Sequence, residues 1–501
     1  MCLRHAAKSE GSLCLPESIL LERVAALRKR AKPNEIIATC RSLLDDGHVK
    51  CLNDPSGARF FYLTENYKLE SAIAEEISKL IKAEKSSPIP ANEIDFLLSL
   101  YEQEHQMTLS VEQKEAVVAA LISPTCVITG GPGTGKTAVA DAICSLISYH
   151  NPKAQIKLCA PTGKASIRLT EATGRKATTI HSLLSAHFAK CDYIIVDELS
   201  MVNMELFVAL LQEIPPSTRL ITLGDPNQLP CIGMGNILHD LIAARYVPTV
   251  ELKTVFRQSK DSGIAKFAAV ISNQAELDMA LSLVGTSLAD EISFQCVDYP
   301  NDSVVSSVSH IIADLTNLYG IQVHEIQILA PTKACVDELN IGLRGFLNPA
   351  VYGQTTADSE SLMPGDRVLY CKNDYARRLF NGSTGIVKKT DAQNVTVEYA
   401  NQRIVRHDMS EVTEKTLVLA YAITIHKAQG SEYPVTIIPI YESMDRILTR
   451  NLIYTAITRA KKKCILVGEK AALERALQCT LEGTHLSRLM HRLSQNLDQE
   501  N

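Results

Sequence analysis

Apolar residues recur at helical spacing through "KLESAIAEEISKLIKAEK", with Leu69, Ile73, Ile77 and Leu80 on one face. Just before it, "NEIIATCRSLLDDGHVKCLNDPSGARFFYLTE" reads as a helix, a turn and a pair of strands around "NDPSGA". Together they predict a helical, winged-helix-like N-terminal module over residues 1–105, closed by a linker at "KSSPIPAN". From about residue 106 the pattern changes. Short β-branched runs, "CVITG", "IKLCAP", "YIIVDE" and "RLITLGD", alternate with helical stretches and predict a doubly wound parallel sheet over 106–252. A second series, "IQILAP", "VLAYAI", "VTIIPI" and "CILVG", predicts another α/β domain, split into 253–361 and 413–501 with the C-terminal tail. Between the two parts, "DRVLYCKNDY" and "STGIVKKTDAQNVTVEYANQRIVRHD" alternate at period two, with turns at "NGSTG", "DAQN" and "ANQ". That predicts a small antiparallel barrel over 362–412.

The chain has 501 residues, room for about three or four domains. It is 46% hydrophobic and 21% charged, a globular balance. A net charge of −5 neither points to nucleic acid nor excludes it, because a basic groove can sit on an acidic protein. Fourteen cysteines lack any C-x-x-C pair, which leaves no zinc or iron–sulfur signature. With no secretory leader in "MCLRHAAKSEGSLCLPESIL", reduced thiols and a cytoplasmic location are expected. No apolar run approaches membrane-spanning length, so no membrane partner is expected.

Chemistry enters at "GGPGTGKT", residues 130–137, a full G-x-x-x-x-G-K-[ST] match between a strand and a helix. Gly130, Gly131, Pro132, Gly133, Thr134 and Gly135 would wrap backbone N–H groups around the phosphates of ATP. Lys136 would reach the β- and γ-phosphates, and Thr137 would hold Mg²⁺. "YIIVDELS" ends a buried strand in Asp197, suited to Mg²⁺, and Glu198, suited to polarising the attacking water. Gln228 in "GDPNQLP" is placed to sense the γ-phosphate. Arg257 in "VFRQ" and Arg459 in "YTAITRA" fall in the second domain and would act as arginine fingers if both face the loop. By composition alone each arginine is a surface charge; two domains sharing one nucleotide would make the ATPase a motor.

The ordered set "GGPGTGKT", "CAPTGKASIRL", "TIHSLL", "IIVDELSMV", "GDPNQLP", "VFRQ", "ITIHKAQGSEY" and "YTAITRA" resembles the superfamily 1 DNA helicases, among them the RecD-like group, nearer its stand-alone branch. The resemblance covers about residues 105–470 and implies two RecA-like motor domains with an SH3-like barrel insert. It implies ATP-driven 5′→3′ movement on single-stranded DNA, in recombination and double-strand-break repair. "LSVEQKEAV" resembles the group's adenine-reading motif, with Gln113 as reader. By the same resemblance Gln228 couples the site to DNA, and Gly430 and Glu432 lie near the nucleotide. Thr162, His181, Thr424, His426 and Lys427 fall in segments that face the DNA strand. The implied partners are single-stranded DNA and duplex junctions, with a monomer if the chain acts alone, or RecB- and RecC-like subunits.

One departure stands out. Only "SLLSAHFAKCD" separates His181 from the strand at Tyr193, where relatives carry a longer segment that forms a strand-splitting β-hairpin. Eleven residues must finish a helix and begin a strand, so the pin is expected to be missing or vestigial. Three readings compete: an autonomous helicase or translocase, a motor subunit of a RecBCD-like exonuclease complex with weak unwinding alone, and a nucleotide-binding switch that moves nothing.

Overall fold

The computed structural model describes residues 1–27, 33–54, 56–83, 89–186, 191–256, 262–273, 277–297, 303–348, 351, 361–445, 447–480 and 484–498. The first α/β unit is built on a six-stranded parallel sheet. Its order is Ala177–Thr179, Ile156–Ala160, Tyr193–Val196, Arg219–Gly224, Thr125–Gly130 and Thr249–Leu252. Thr125–Gly130 and Arg219–Gly224 are buried at every position, as central strands covered on both faces must be. The two edge strands escaped the sequence reading because "ATT" and "TVEL" carry too few apolar residues to stand out.

The second unit is a five-stranded parallel sheet in the order Ile292–Cys296, Ala460–Gly468, Tyr433–Ile440, Ile326–Ala330, Ala422–Thr424. The run "VLAYAI", expected as one strand, is two. Leu417–Leu419 closes the antiparallel insert, and Ala422–Thr424 enters the parallel sheet two residues later. The insert is a five-stranded antiparallel sheet, ordered Arg403–Asp408, Asn394–Tyr399, Ser383–Thr390, Arg367–Tyr370, Leu417–Leu419. It runs past the expected end at 412 and has a small core of its own around Val368, Val387, Val395 and Val397.

At the N-terminus the expected helix is Pro33–Asp45, and the strand pair is Val49–Asn53 with Arg59–Leu63. Asp54 fixes their turn by accepting from the backbone N–H of Ser56 and of Ala58, both at 2.9 Å. A third strand, Cys14–Pro16, adds to Arg59–Leu63. The linker expected around 85–92 lies partly outside the described residues. The module is not a separate body. Helix Thr64–Lys82 places Ile73, Ala74 and Ile77 in one core with Phe207 and Leu210 of the first motor unit. Helix Ala91–Glu104 covers the sheet's other face, with Ile94, Leu98 and Tyr101 packed beside Ile128 and Ile143.

The tail needs a correction. Helix Lys470–Gln478 packs on the second unit, but helix Leu489–Asp498 leaves it. That helix lies against Thr64–Lys82 and Ile237–Ala244, with Leu489 and Leu493 in the first unit's core. Its Arg492 donates from Nε to the fully buried Glu70 at 2.6 Å and stacks over the Tyr67 ring at 4.0 Å. Thirteen of the fourteen cysteines are free among the described residues, and burial pushes thiols such as Cys126 and Cys144 up to about 12. No described helix is long and apolar enough to cross a membrane.

Candidate active site

The loop from Gly130 to Gly135 turns between a buried strand and helix Lys136–His150. Gly133 and Gly135 have φ of 78° and 85°, a region that side chains strain to enter. A Cβ on Gly130 would stand 2.6 Å from Thr134 Oγ1, and one on Gly135 only 2.3 Å from Gln113 Nε2. Glycine is therefore a steric requirement at both places. Lys136 Nζ donates to the carbonyls of Gly130 at 2.5 Å and Gly131 at 3.0 Å, so its ammonium spans the mouth of the loop.

Gln113 stands behind the loop, not in the cleft. Its Oε1 accepts from Ser110 N–H at 2.9 Å in a capping box, and its Nε2 donates to Thr134 O at 3.1 Å. The expected adenine reader is thus an amide whose Oε1 caps its own helix and whose Nε2 holds the loop.

Strand Tyr193–Val196 delivers the two acids. Asp197 N–H donates to Cys159 O at 2.9 Å, and Asp197 Oδ1 accepts from Glu198 N–H at 2.8 Å. Burial first, then the charge of Glu198, push the Asp197 carboxyl above the usual carboxylate range, while Lys136 and Arg168 pull it back. Glu198 has φ of 55°, the left-handed region, at the bend after the strand. Strain of this kind persists where the surrounding structure holds it.

A third acid was missed by the sequence reading. Asp225, fully buried at the end of strand Arg219–Gly224, accepts from Asn227 N–H at 3.0 Å, Gln228 Nε2 at 3.3 Å and Tyr454 Oη at 3.1 Å. Tyr454 belongs to the second unit. Asn451 Nδ2 of the same helix donates to Asn227 O at 3.0 Å, and Thr455 Oγ1 accepts from Leu229 N–H at 2.8 Å. The "GDPNQLP" loop is thus held by the facing domain. Its signal was in the sequence, as an aspartate ending a strand parallel to the one that ends in Asp197.

Arg459 follows helix Arg450–Ile457 and is 3% exposed. Its guanidinium donates to Thr455 O at 3.1 Å, Thr458 Oγ1 at 3.2 Å and Ser431 O at 3.4 Å. It faces a 380 Å³ cleft with Lys136, Thr137, Asp197, Glu198 and Gln228 opposite, and Gly430 and Glu432 beside it. Arg257 lies outside the described residues; Phe256 before it lines the cleft and donates its N–H to Gly133 O at 2.8 Å. Arg168 also reaches the cleft and bonds Glu432 Oε1 at 2.8 Å. Two buried oxygens here, Glu198 Oε2 and Gln228 Oε1, have no hydrogen-bond partner among the described residues. The glycine cradle, the Lys136 and Arg459 cations and these acceptors fit a nucleoside triphosphate with a divalent cation.

The segments expected to face DNA cluster elsewhere. Thr162 and Thr424 cap short helices, accepting from Ala165 N–H at 3.3 Å and Lys427 N–H at 3.2 Å. His181 is exposed on helix Ile180–Ser185. Desolvation holds the half-buried His426 below the usual imidazole range. Lys427 Nζ lies 3.2 Å from Cys371 Sγ of the insert. The insert also touches the first unit: Tyr375 and Thr179 share a hydrogen bond of 2.8 Å, and Phe380 packs where a Gly163 side chain would be. Thr332 was missed. Ala-Pro-Thr occurs at 160–162 and again at 330–332, each ending a buried strand, and each threonine caps the next helix. Read as an internal repeat, that tripeptide could have found it. Among the described residues no strand occurs between Ser182 and Asp192; residues 187–190 of the expected pin-less segment lie outside them.

Comparison with known proteins adds kinship to this geometry. A family model described as an AAA domain matches residues 108–284, and one described as a UvrD-like helicase C-terminal domain matches 419–467. An ATP-dependent RecD2 DNA helicase of Deinococcus radiodurans is 33% identical over 377 residues, 73% of this chain and 50% of that protein. The chain thus spans half the length of that relative. The RecBCD enzyme subunit RecD of Mycolicibacterium smegmatis is 29% identical over 85% of this chain and 82% of that one. The Haemophilus influenzae RecD subunit is 27% identical over 87% and 82%. A solved Pif1 helicase from Bacteroides, in complex with ADP-AlF3 and ssDNA, superposes with a TM-score of 0.49 at 19% identity, covering 74% of this chain and 94% of that one.

Proposed function

From its kinship with the RecD-like superfamily 1 DNA helicases, we propose that this chain is an ATP-dependent helicase or translocase moving 5′→3′ on single-stranded DNA, in recombination and double-strand-break repair. The observation that carries it is one cleft with the phosphate loop, Asp197 and Glu198 on one wall and Arg459 on the other. A nucleotide there touches both motor units, so hydrolysis changes their separation. A bound Mg²⁺ would supply charge neutralisation on the phosphates. Thr137 and Asp197 would hold the cation, Glu198 orients and polarises the attacking water, and Arg459 stabilises charge on the transferring group. Lys136 grips the phosphates, and Gln228 links them to Asp225 and so to Tyr454 of the facing unit. The 400 Å³ recess beside Gly131 and Thr134, walled by Leu252, Val255 and Ala268, is the place we assign to the base.

Single-stranded DNA would cross the capped helix N-termini at Thr162, Thr332 and Thr424, whose backbone N–H groups suit phosphates. The antiparallel insert takes the part of the SH3-like barrel above them, and the chain works in the cytoplasm as a monomer when alone. A switch protein that moves nothing would have no use for Tyr454, Asn451 and Thr455 gripping the "GDPNQLP" loop across the domain boundary.

The test is strand displacement on duplexes with a 5′ or a 3′ single-stranded tail, with ATPase read in the same tubes. Unwinding from the 5′ tail is expected; unwinding from the 3′ tail alone would reverse the polarity, and no stimulation by DNA would sink the motor. A second reading is favoured by the short segment between helix Ile180–Ser185 and strand Tyr193–Val196, in which no strand occurs among the described residues. A motor without a strand-splitting wedge serves as a subunit of a RecBCD-like complex. Stimulated ATPase without displacement, restored by RecB- and RecC-like proteins, would select it.

A further inference from the structure

Helix Gly163–Thr173 joins the two sites: Thr162, on the DNA side, caps its N-terminus, and Arg168 reaches the nucleotide cleft. Lys164 and Arg168 are four residues apart and so share a helix face. Both reach across to one short loop of the second unit. Lys164 Nζ donates to Ser431 Oγ at 3.0 Å, and Arg168 Nη2 to Glu432 Oε1 at 2.8 Å. Lys461 adds a second cation, 3.6 Å from Glu432 Oε2. The same loop supports the finger, since Arg459 Nη1 donates to Ser431 O. Ser431 is therefore gripped on its hydroxyl by the first unit and leaned upon at its carbonyl by Arg459.

We propose that Lys164 and Arg168 are positioning residues, which act through Ser431 and Glu432 to set Arg459 when the motor units close. The seam can form only when the units are close, because its halves lie on different domains. Tension on the helix from a DNA strand at Thr162 is then felt at the arginine, with no contact between DNA and nucleotide. Arg168 is charge-matched to Glu432 and carries a planar fork that lysine lacks. The proposal rests on the ATP-motor reading above.

The decisive experiment is epistasis, read as single-turnover ATP hydrolysis with saturating oligothymidine, where slowed variants remain measurable. In the otherwise native chain, Ser431→Ala and Arg168→Gln should each lower the DNA-stimulated rate about tenfold. In an Arg459→Ala background each should cost less than about twofold, because the residue they position is gone. Equal tenfold losses in both backgrounds would overturn the proposal, as would no loss in the first. Lys164→Met provides a second variant should Arg168→Gln fail to fold, and Arg168→Lys should restore only part of the rate. If the native chain shows no stimulation by oligothymidine, the motor reading itself fails, which is a different result from failed epistasis.

Discussion

Lys136 is the residue whose role is tied most closely to its surroundings. Its ammonium already spans two loop carbonyls, so Lys136→Ala removes the phosphate contact without disturbing the core. DNA-stimulated ATPase should vanish while the thermal melt stays in place; persistent hydrolysis would refute the site. Arg459→Ala should retain ATP binding and lose at least about a hundredfold in turnover, toward the low end of what a finger contributes. Nucleotide titration beside a rate measurement separates the two. Tyr454→Phe strips a donor from buried Asp225, whose carboxyl burial has already pushed up. A loss of about 1–3 kcal/mol in stability is expected by chemical denaturation. The glycine loop after Thr125–Gly130 and the acid pair after Tyr193–Val196 stood out in the sequence because each follows a short apolar run. Tyr454 did not, since a tyrosine inside an apolar helix is indistinguishable from core until its hydroxyl finds a partner.

Among the elements, the insert depends on two polar clusters. Asp366, fully buried at its root, accepts from Arg344 at 2.6 Å, Asn348 at 2.9 Å, Tyr421 at 2.9 Å and Met363 N–H at 2.8 Å. Asp366→Ala takes the carboxylate countercharge from the buried Arg344 guanidinium and should cost about 3–5 kcal/mol, measured by thermal melting. Farther out, burial works against ionising Glu411, but hydrogen bonds from Arg377 and His407 outweigh it and hold its carboxyl down to about 2. A depressed folded-state value means the stabilisation is full above the ordinary 4.5 and disappears as pH falls toward 2. The insert should therefore become protease-sensitive below about pH 4, and Glu411→Gln should flatten that dependence. Period-two alternation revealed four of the insert's strands. The fifth, Leu417–Leu419, was hidden because it runs almost directly into the parallel strand Ala422–Thr424, and hydrophobic pattern alone cannot mark where pairing changes sheets.

For the whole molecule the C-terminal helix is the test. It carries Arg492 back to the buried Glu70, and Tyr62 Oη and Arg488 N–H complete that carboxylate's shell at 2.9 and 2.7 Å. Arg488 adds a pair with Asp54 at 2.6 Å and stacks over Phe60 at 4.1 Å. A strap from the second motor unit is thus anchored on the far side of the first. Arg492→Met should destabilise the chain by about 3–5 kcal/mol, since Glu70 keeps its burial and loses its countercharge. An unchanged melt would mean that the pair contributes nothing net.

The sequence by itself determined what is local. Phosphate chemistry requires a fixed run of glycines, a lysine and a hydroxyl, and parallel strands buried on both faces read as apolar runs whatever surrounds them. That sufficed for two α/β units and for the strand–loop–helix turn at Gly130–Gly135. Only the tertiary structure decided which groups meet: Asp225 with Tyr454, Lys164 and Arg168 with the loop before Tyr433, Glu70 with Arg492. Each of these is a contact between residues more than two hundred positions apart. At Asp225 and Glu70 the strength comes from burial, and burial is a property of the folded chain that neither partner's sequence neighbourhood records.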